Sequence, residues 1–160
     1  MLSIRHWPAR ATVLVAAVAS SLTLVAAPAA ADVDFGVRAG AYLEDSDPMV
    51  GFELLMPMPA RDWFFNPNVE AIFSDPQDRY SLNFDFHYDF RQTADYYLWG
   101  GAGAAVIRTD AGRRRDGEWD GGLNLLGGIG WRVEGMVPYA QLKVVLSDDA
   151  EVAAAVGLRF

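Results

Sequence analysis

The sequence predicts an all-β chain, an eight-stranded antiparallel up-and-down transmembrane β-barrel preceded by a cleaved signal peptide. Three observations predict it. Segments of roughly ten residues alternate apolar and polar positions, with turn-forming residues between them. The last of these, Glu151 to Phe160, sets Val152, Ala154, Val156, Leu158 and Phe160 on one side and Glu151, Ala153, Ala155, Gly157 and Arg159 on the other. Finally, the chain opens like an exported protein, yet no later apolar run is long enough for a membrane helix. A closed barrel is the other structure that satisfies its own backbone in lipid.

Residues 1–31 read as the signal peptide. Arg5, His6 and Arg10 precede an uncharged stretch from Ala11 to Ala27, Pro28 breaks it, and Ala29-Ala30-Ala31 forms a small-residue cleavage site. The predicted mature domain is 32–160, with no Cys to receive a lipid or close a disulfide. Two of the 13 basic residues and none of the 21 acidic ones precede Asp32, so the mature charge is 11 minus 21, or −10. That charge argues against a nucleic-acid partner, whose phosphates need a basic surface.

The elements follow in order. Val33–Leu43 alternates Val33, Phe35, Val37, Ala39, Ala41 and Leu43 with Asp34, Gly36, Arg38, Gly40 and Tyr42; an acidic loop ends at Pro48. Met49–Pro57 sets Val50, Phe52, Leu54 and Met56 against Gly51, Glu53 and Leu55. Phe64–Phe73 is the weakest segment, because Pro67 removes a ladder donor and suggests a bulge or a late start. Tyr80, Leu82, Phe84, Phe86, Tyr88 and Phe90 alternate without a break with Ser81, Asn83, Asp85, His87 and Asp89. A helical period would scatter that set around its axis. Tyr96–Ile107 is small on both faces, and Arg108–Asp120 is expected as the longest loop. Gly121–Arg132 offers Leu123, Leu125, Ile129 and Trp131 against Asn124, Gly128, Gly130 and Arg132. Val137–Leu146 sets Ala140, Leu142, Val144 and Leu146 against Tyr139, Gln141 and Lys143.

The apolar faces are expected to point outward and the charged faces into a lumen that eight strands leave just wide enough for side chains. The expected lumen network is Arg38, Glu53, Glu70, Asp85, His87, Asp89, Arg132, Lys143 and Arg159, with Glu151 on the same parity. Arg38 and Glu53 are expected to meet across the first hairpin. Phe35, Phe65 and Tyr96 open odd strands and Phe90, Trp131 and Phe160 close even ones, so a meander gathers all six at one rim.

On the signal peptide, the strand pattern and the aromatic end, the chain resembles the small eight-stranded outer-membrane barrels, the OmpA/OmpX-like family. The resemblance implies the outer membrane of a diderm bacterium, contact with its lipid and lipopolysaccharide, and insertion by the barrel assembly machinery. It also implies an assembly signal at Val152, Val156, Leu158 and Phe160. The remaining far-rim loops are short, and no peptidoglycan-gripping domain is expected after Phe160. The function expected is structural or surface interaction, with no enzyme activity and no cofactor, and eight strands around so charged a lumen leave no through-pore expected.

His87, with Asp85 and Asp89 at two-residue spacing, is the one candidate base. A lipid A deacylase-like barrel would need a Ser beside it, and none stands two residues on, so a hydrogen-bonded lumen histidine is expected instead. Asp116–Gly121 loosely matches a calcium loop, but Gly127 stands where the bidentate Glu belongs. Arg113, Arg114 and Arg115 are candidates to contact lipopolysaccharide phosphates. A soluble periplasmic lipocalin-like barrel is the remaining alternative. Oligomeric state is not legible.

Overall fold

A computed structural model describes residues 33–110 and 117–160. The signal-peptide region and Arg113–Arg115 lie outside them. The strands are β1 (Asp34–Tyr42), β2 (Asp47–Pro57), β3 (Trp63–Ile72), β4 (Arg79–Gln92), β5 (Tyr96–Thr109), β6 (Glu118–Trp131), β7 (Val137–Leu146) and β8 (Ala150–Arg159). They close in sequence order into one antiparallel barrel. Each strand pairs with its sequence neighbours, and β1 closes on β8 from Gly36↔Arg159 to Tyr42↔Ala153. Phe35 and Phe160 extend the seam by exchanging both backbone hydrogen bonds, at 3.2 and 2.9 Å. Closure leaves no unpaired edge strand.

Polarity runs inside out relative to a soluble barrel. Phe84, Leu125 and Val156 are 41%, 52% and 64% exposed, whereas Arg38 and Asp85 are 3% and 0% exposed. Of the six aromatics expected at the terminus-side rim, Phe35, Tyr96, Phe90, Trp131 and Phe160 lie at or beside their strand ends there, while Phe65 sits one level further in, against Phe86. Phe35 stacks on Phe160 at 5.6 Å between ring centroids, Tyr96 lies opposite Trp131, and Trp63 and Tyr88 add a further pair.

Pro67 neither bulges nor delays β3. The β2–β3 register is the same on either side of it, Glu53↔Asn68 and Met56↔Phe65. The donor that Pro67 lacks is supplied next door: Asn66 Nδ2 donates to the Leu54 carbonyl at 2.7 Å. The register shift occurs instead in β4, between Asp89 and Arg91, where Phe90 is the extra residue.

Both ends of the loop expected over Arg108–Asp120 are strand, and residues 111–116 lie outside the described residues. β5 continues through Arg108 and Thr109, which pair with Trp119 and Glu118 of β6. Nor is β5 small on both faces, since its inward positions carry buried Tyr97 and Trp99 near the terminus-side end. On the inward face, the small residues are confined to the later positions Gly101, Gly103 and Ala105.

Candidate functional site

The strand alternation delivers one inward side chain per strand at every level, and the lumen is filled in layers. Toward the loops, Tyr42, Met49, Ile72, Ile107 and Val145 pack with Ala105, Ala153 and Ala155. Toward the termini, Tyr97, Trp99, Leu126 and Tyr139 form a second apolar cluster. The charges lie between and against these two.

They form one alternating chain. Arg159 Nε meets Glu53 Oε1 at 2.7 Å, and the other Glu53 oxygen lies 3.6 Å from Arg38 Nη1. Arg38 Nη2 meets Glu70 Oε1 at 2.8 Å and also donates to Asn68. Lys143 Nζ closes the chain on Glu70 Oε2 at 2.6 Å, where the Tyr42 hydroxyl donates as well. Five strands, β8, β2, β1, β3 and β7, are joined by these contacts. Arg159 also stacks over Tyr139 and Trp99, at 4.3 and 5.0 Å from the ring centroids, and so couples the charges to the terminus-side cluster. Asp85 is held by amides, accepting from Asn68 at 2.9 Å and Asn124 at 2.7 Å. Each buried charge has opposite charge or amide donors around it, the condition under which burial is tolerated.

Glycine makes the room. Trp99 faces Gly128, Tyr97 faces Gly130 and Tyr139 faces Gly157 across neighbouring strands. A Cβ at any of those three glycines would run into the facing ring.

The structure thus brings Arg38, Glu53, Glu70, Lys143 and Arg159 together, with Asp85 beside them. Asp89 lies at the terminus-side mouth, where its Oδ2 stands 3.5 Å from Gln92 Nε2. Arg132 is not in the lumen. It follows the last residue of β6, is exposed, and donates to the Thr93 carbonyl at 2.5 Å and to Gln92 at 3.2 Å. Glu151 belongs to the loop-side rim, paired with Arg79 at 2.7 Å. Arg79 opens β4 and also lies 3.8 Å from Asp47.

His87 is inside but not hydrogen-bonded. It is 0% exposed, its ring lies 5.5 Å from Phe64 and 5.8 Å from Trp99, and neither ring nitrogen has a partner among the described residues. The reason is local: its register partners are Phe64 and Gly101, which offer no side-chain acceptor. Asp85 and Asp89 lie about 6.7 Å away along the strand, two residues to either side. Ser81, the one lumen serine among the described residues, is six residues from His87 on the same strand, a separation of about 20 Å. No Ser–His pair forms there. Among the described residues, no three His, Asp or Glu side chains converge as a metal site.

Val152, Val156, Leu158 and Phe160 all lie on the outer wall, with Val156 and Phe160 the most exposed. Asn68 and Asn124 occupy the inward faces that alternation gives them, but their contacts with Asp85 were not legible. Sequence reading missed Arg79, Tyr97, Trp99 and Asn66; parity along β3 and β5 would have placed the last three inward, while the Arg79–Glu151 pair, 72 residues apart, left no local signal.

The arrangement defines a closed eight-stranded barrel with an apolar wall and an ion-paired centre. No family model and no curated protein matches the sequence. Solved structures do. The N-terminal β-barrel domain of Pseudomonas aeruginosa OprF superposes with a TM-score of 0.68 at 15% identity, over 80% of this chain and 95% of that one. Neisserial surface protein A gives 0.58 at 14% identity, over 79% and 92%. Ail, the attachment invasion locus protein of Yersinia pestis, gives 0.54 at 16% identity, over 80% and 96%. The chain has the fold of these small eight-stranded outer-membrane barrels.

Proposed function

We propose that the chain is an integral protein of the outer membrane of a diderm bacterium, of structural or surface-interaction type, without enzyme activity and without a through-pore. One observation carries the reading: large apolar side chains cover the outside while the charges are sealed within. From Phe90 to Tyr80, the apolar face of β4 runs over eleven residues, about 33 Å of strand, or about 25 Å of height at a tilt near 40°, which matches the apolar band of such barrels. A soluble barrel with a dry interior requires the opposite arrangement. The absence of a pore is supported by the two apolar clusters that fill the lumen above and below the charges. On this reading, the neighbours of the wall are outer-membrane lipid and lipopolysaccharide, with Arg113–Arg115 proposed to contact the latter, and the barrel assembly machinery inserts the chain.

The deciding experiment is fractionation with gel mobility. The folded chain should need detergent for extraction and should migrate differently before and after boiling. Release by osmotic shock without detergent would refute the membrane reading. The lipid-modifying alternative has His87 as its sole base, so His87→Ala should leave lipid A composition unchanged in cells.

A further inference from the structure

The outer wall is not uniform around the barrel. Along β5, every outward position from Gly100 to Val106 is small or medium (Gly100, Ala102, Ala104, Val106), and at Ala102 and Ala104 the strands on either side are bulky. The register sets Phe86, Ala102 and Leu125 in one row and Phe84, Ala104 and Leu123 in the next. The result is a furrow parallel to β5, floored by methyl groups and walled by Phe on β4 and Leu on β6. At its lower end, where Gly100 faces Gly127, it opens into an outward apolar depression of about 580 Å³, lined by Leu98, Gly127, Ile129, Ala140, Ala154 and Val156.

The upper end has a different chemistry. There the register aligns Tyr80, Arg108 and Trp119, all three facing outward and exposed. The Arg108 guanidinium lies 5.3 Å from the centroid of the Trp119 ring. Among the described side chains, Arg38, Arg79, Lys143 and Arg159 each face a carboxylate, as does Arg61 with Asp62, and Arg132 donates to a carbonyl and an amide. Arg108 has no carboxylate within 4 Å among them. A cation on the lipid-facing wall is costly unless it reaches the interface and meets an anion. Guanidinium pairs with phosphate through its N–H edge while its face stacks on an aromatic ring.

We infer that this furrow is a binding site for an anionic lipid, with the lipid phosphate on Arg108 between Tyr80 and Trp119 and one acyl chain laid along β5 toward the depression. The inference rests on the membrane reading above. It names the partner of one particular wall, set by charge complementarity at the head and by shape along the chain.

The test places the folded barrel in phosphatidylcholine vesicles and reads Trp119 fluorescence, obtained as the difference from Trp119→Phe. Brominated phosphatidylcholine and brominated phosphatidylglycerol serve as quenchers. Quenching by brominated phosphatidylcholine reports membrane contact alone, so its absence would count against the membrane reading rather than the site. The site predicts about tenfold enrichment of the phosphatidylglycerol quencher over the phosphatidylcholine one, lost in Arg108→Gln. Ala104→Phe, which fills the furrow from outside, should reduce it as well, and inorganic phosphate should not displace the lipid. Unchanged enrichment in Arg108→Gln or in Ala104→Phe, or displacement by inorganic phosphate, would overturn the assignment. A heat-dependent gel shift confirms that each variant is folded.

Discussion

The guanidinium of Arg159 meets the carboxylate of Glu53 at 2.7 Å, across 106 residues of chain. The contact ties the last strand to the second over the top of β1, because Gly36, which lies between them in register, has no side chain to keep them apart. A Cβ at Gly36 would stand 2.9 Å from Glu53 Oε1 and 3.1 Å from Arg159 Cγ. The barrel seam is therefore fastened from inside as well as by its backbone ladder.

Removing one member of this pair takes the nearest counter-charge from the other: Arg159 loses its carboxylate, and Glu53 keeps only Arg38 at 3.6 Å. Arg159→Met should destabilise the barrel by about 3–5 kcal/mol, and Glu53→Met by a similar amount. The double variant should recover much of that loss, since no lone charge remains. Equilibrium unfolding by urea in detergent micelles measures all three. A double variant as unstable as the sum of the singles would mean that the pair's contribution is not this contact.

The glycine rows make a paired prediction of opposite sign. Gly128→Ala should cost about 1–3 kcal/mol, because the new methyl meets the Trp99 ring and the Ala140 carbonyl, and Trp99→Leu should relieve only the first of these. Gly121→Ala should be neutral or slightly stabilising, since a Cβ there has no atom within 4 Å. The same unfolding measurement separates them.

The polarity of the wall is tested by charge. Leu125→Arg on the outer face should weaken insertion by about 2–4 kcal/mol, the range for a cation near the bilayer midplane. Partitioning between folded and unfolded bands after refolding into vesicles checks it. An arginine tolerated at Leu125 would point to a wet outer wall.

At Pro67 the Asn66 amide stands in for a missing backbone donor. Asn66→Ala should cost about 1 kcal/mol, and less in a Pro67→Val background, where the backbone N–H returns to the Leu54 carbonyl. Equal costs in both backgrounds would show that the amide does not serve the ladder.

His87, buried with both nitrogens unpartnered, should tolerate removal of its polarity. His87→Leu is expected to be neutral or stabilising, because an unsatisfied polar group is replaced by an apolar one of similar volume. A loss of more than about 2 kcal/mol would show that the imidazole is satisfied in the folded barrel.

Alternation along single strands made much of this legible. Phe84 and Asp85 could be assigned to opposite sides of the wall from their order alone, because successive side chains of a strand point to opposite faces. The same rule, with an even strand number, set Phe35 and Phe160 at one rim. Arg38 and Glu53, expected near each other across the first hairpin, meet at 3.6 Å on a diagonal, since their register partners are Gly51 and Gly36.

What lay beyond the sequence is whatever depends on partners from distant strands. The length of β5 and β6 past Arg108 and Asp120 depends on their pairing with each other, which polar residues at a rim do not reveal. Arg132 kept the inward parity of Gly128 and Gly130 but fell one residue past the end of β6, where a side chain reaches the mouth and solvent. The isolation of His87 depended on Phe64 and Gly101 flanking it, and the Arg79–Glu151 pair on curling the sheet until β4 and β8 share a rim. The order of residues determined which way each side chain points, since that is a property of one strand. Only the closed barrel decided which side chains meet, since that depends on the register and the curvature of all eight.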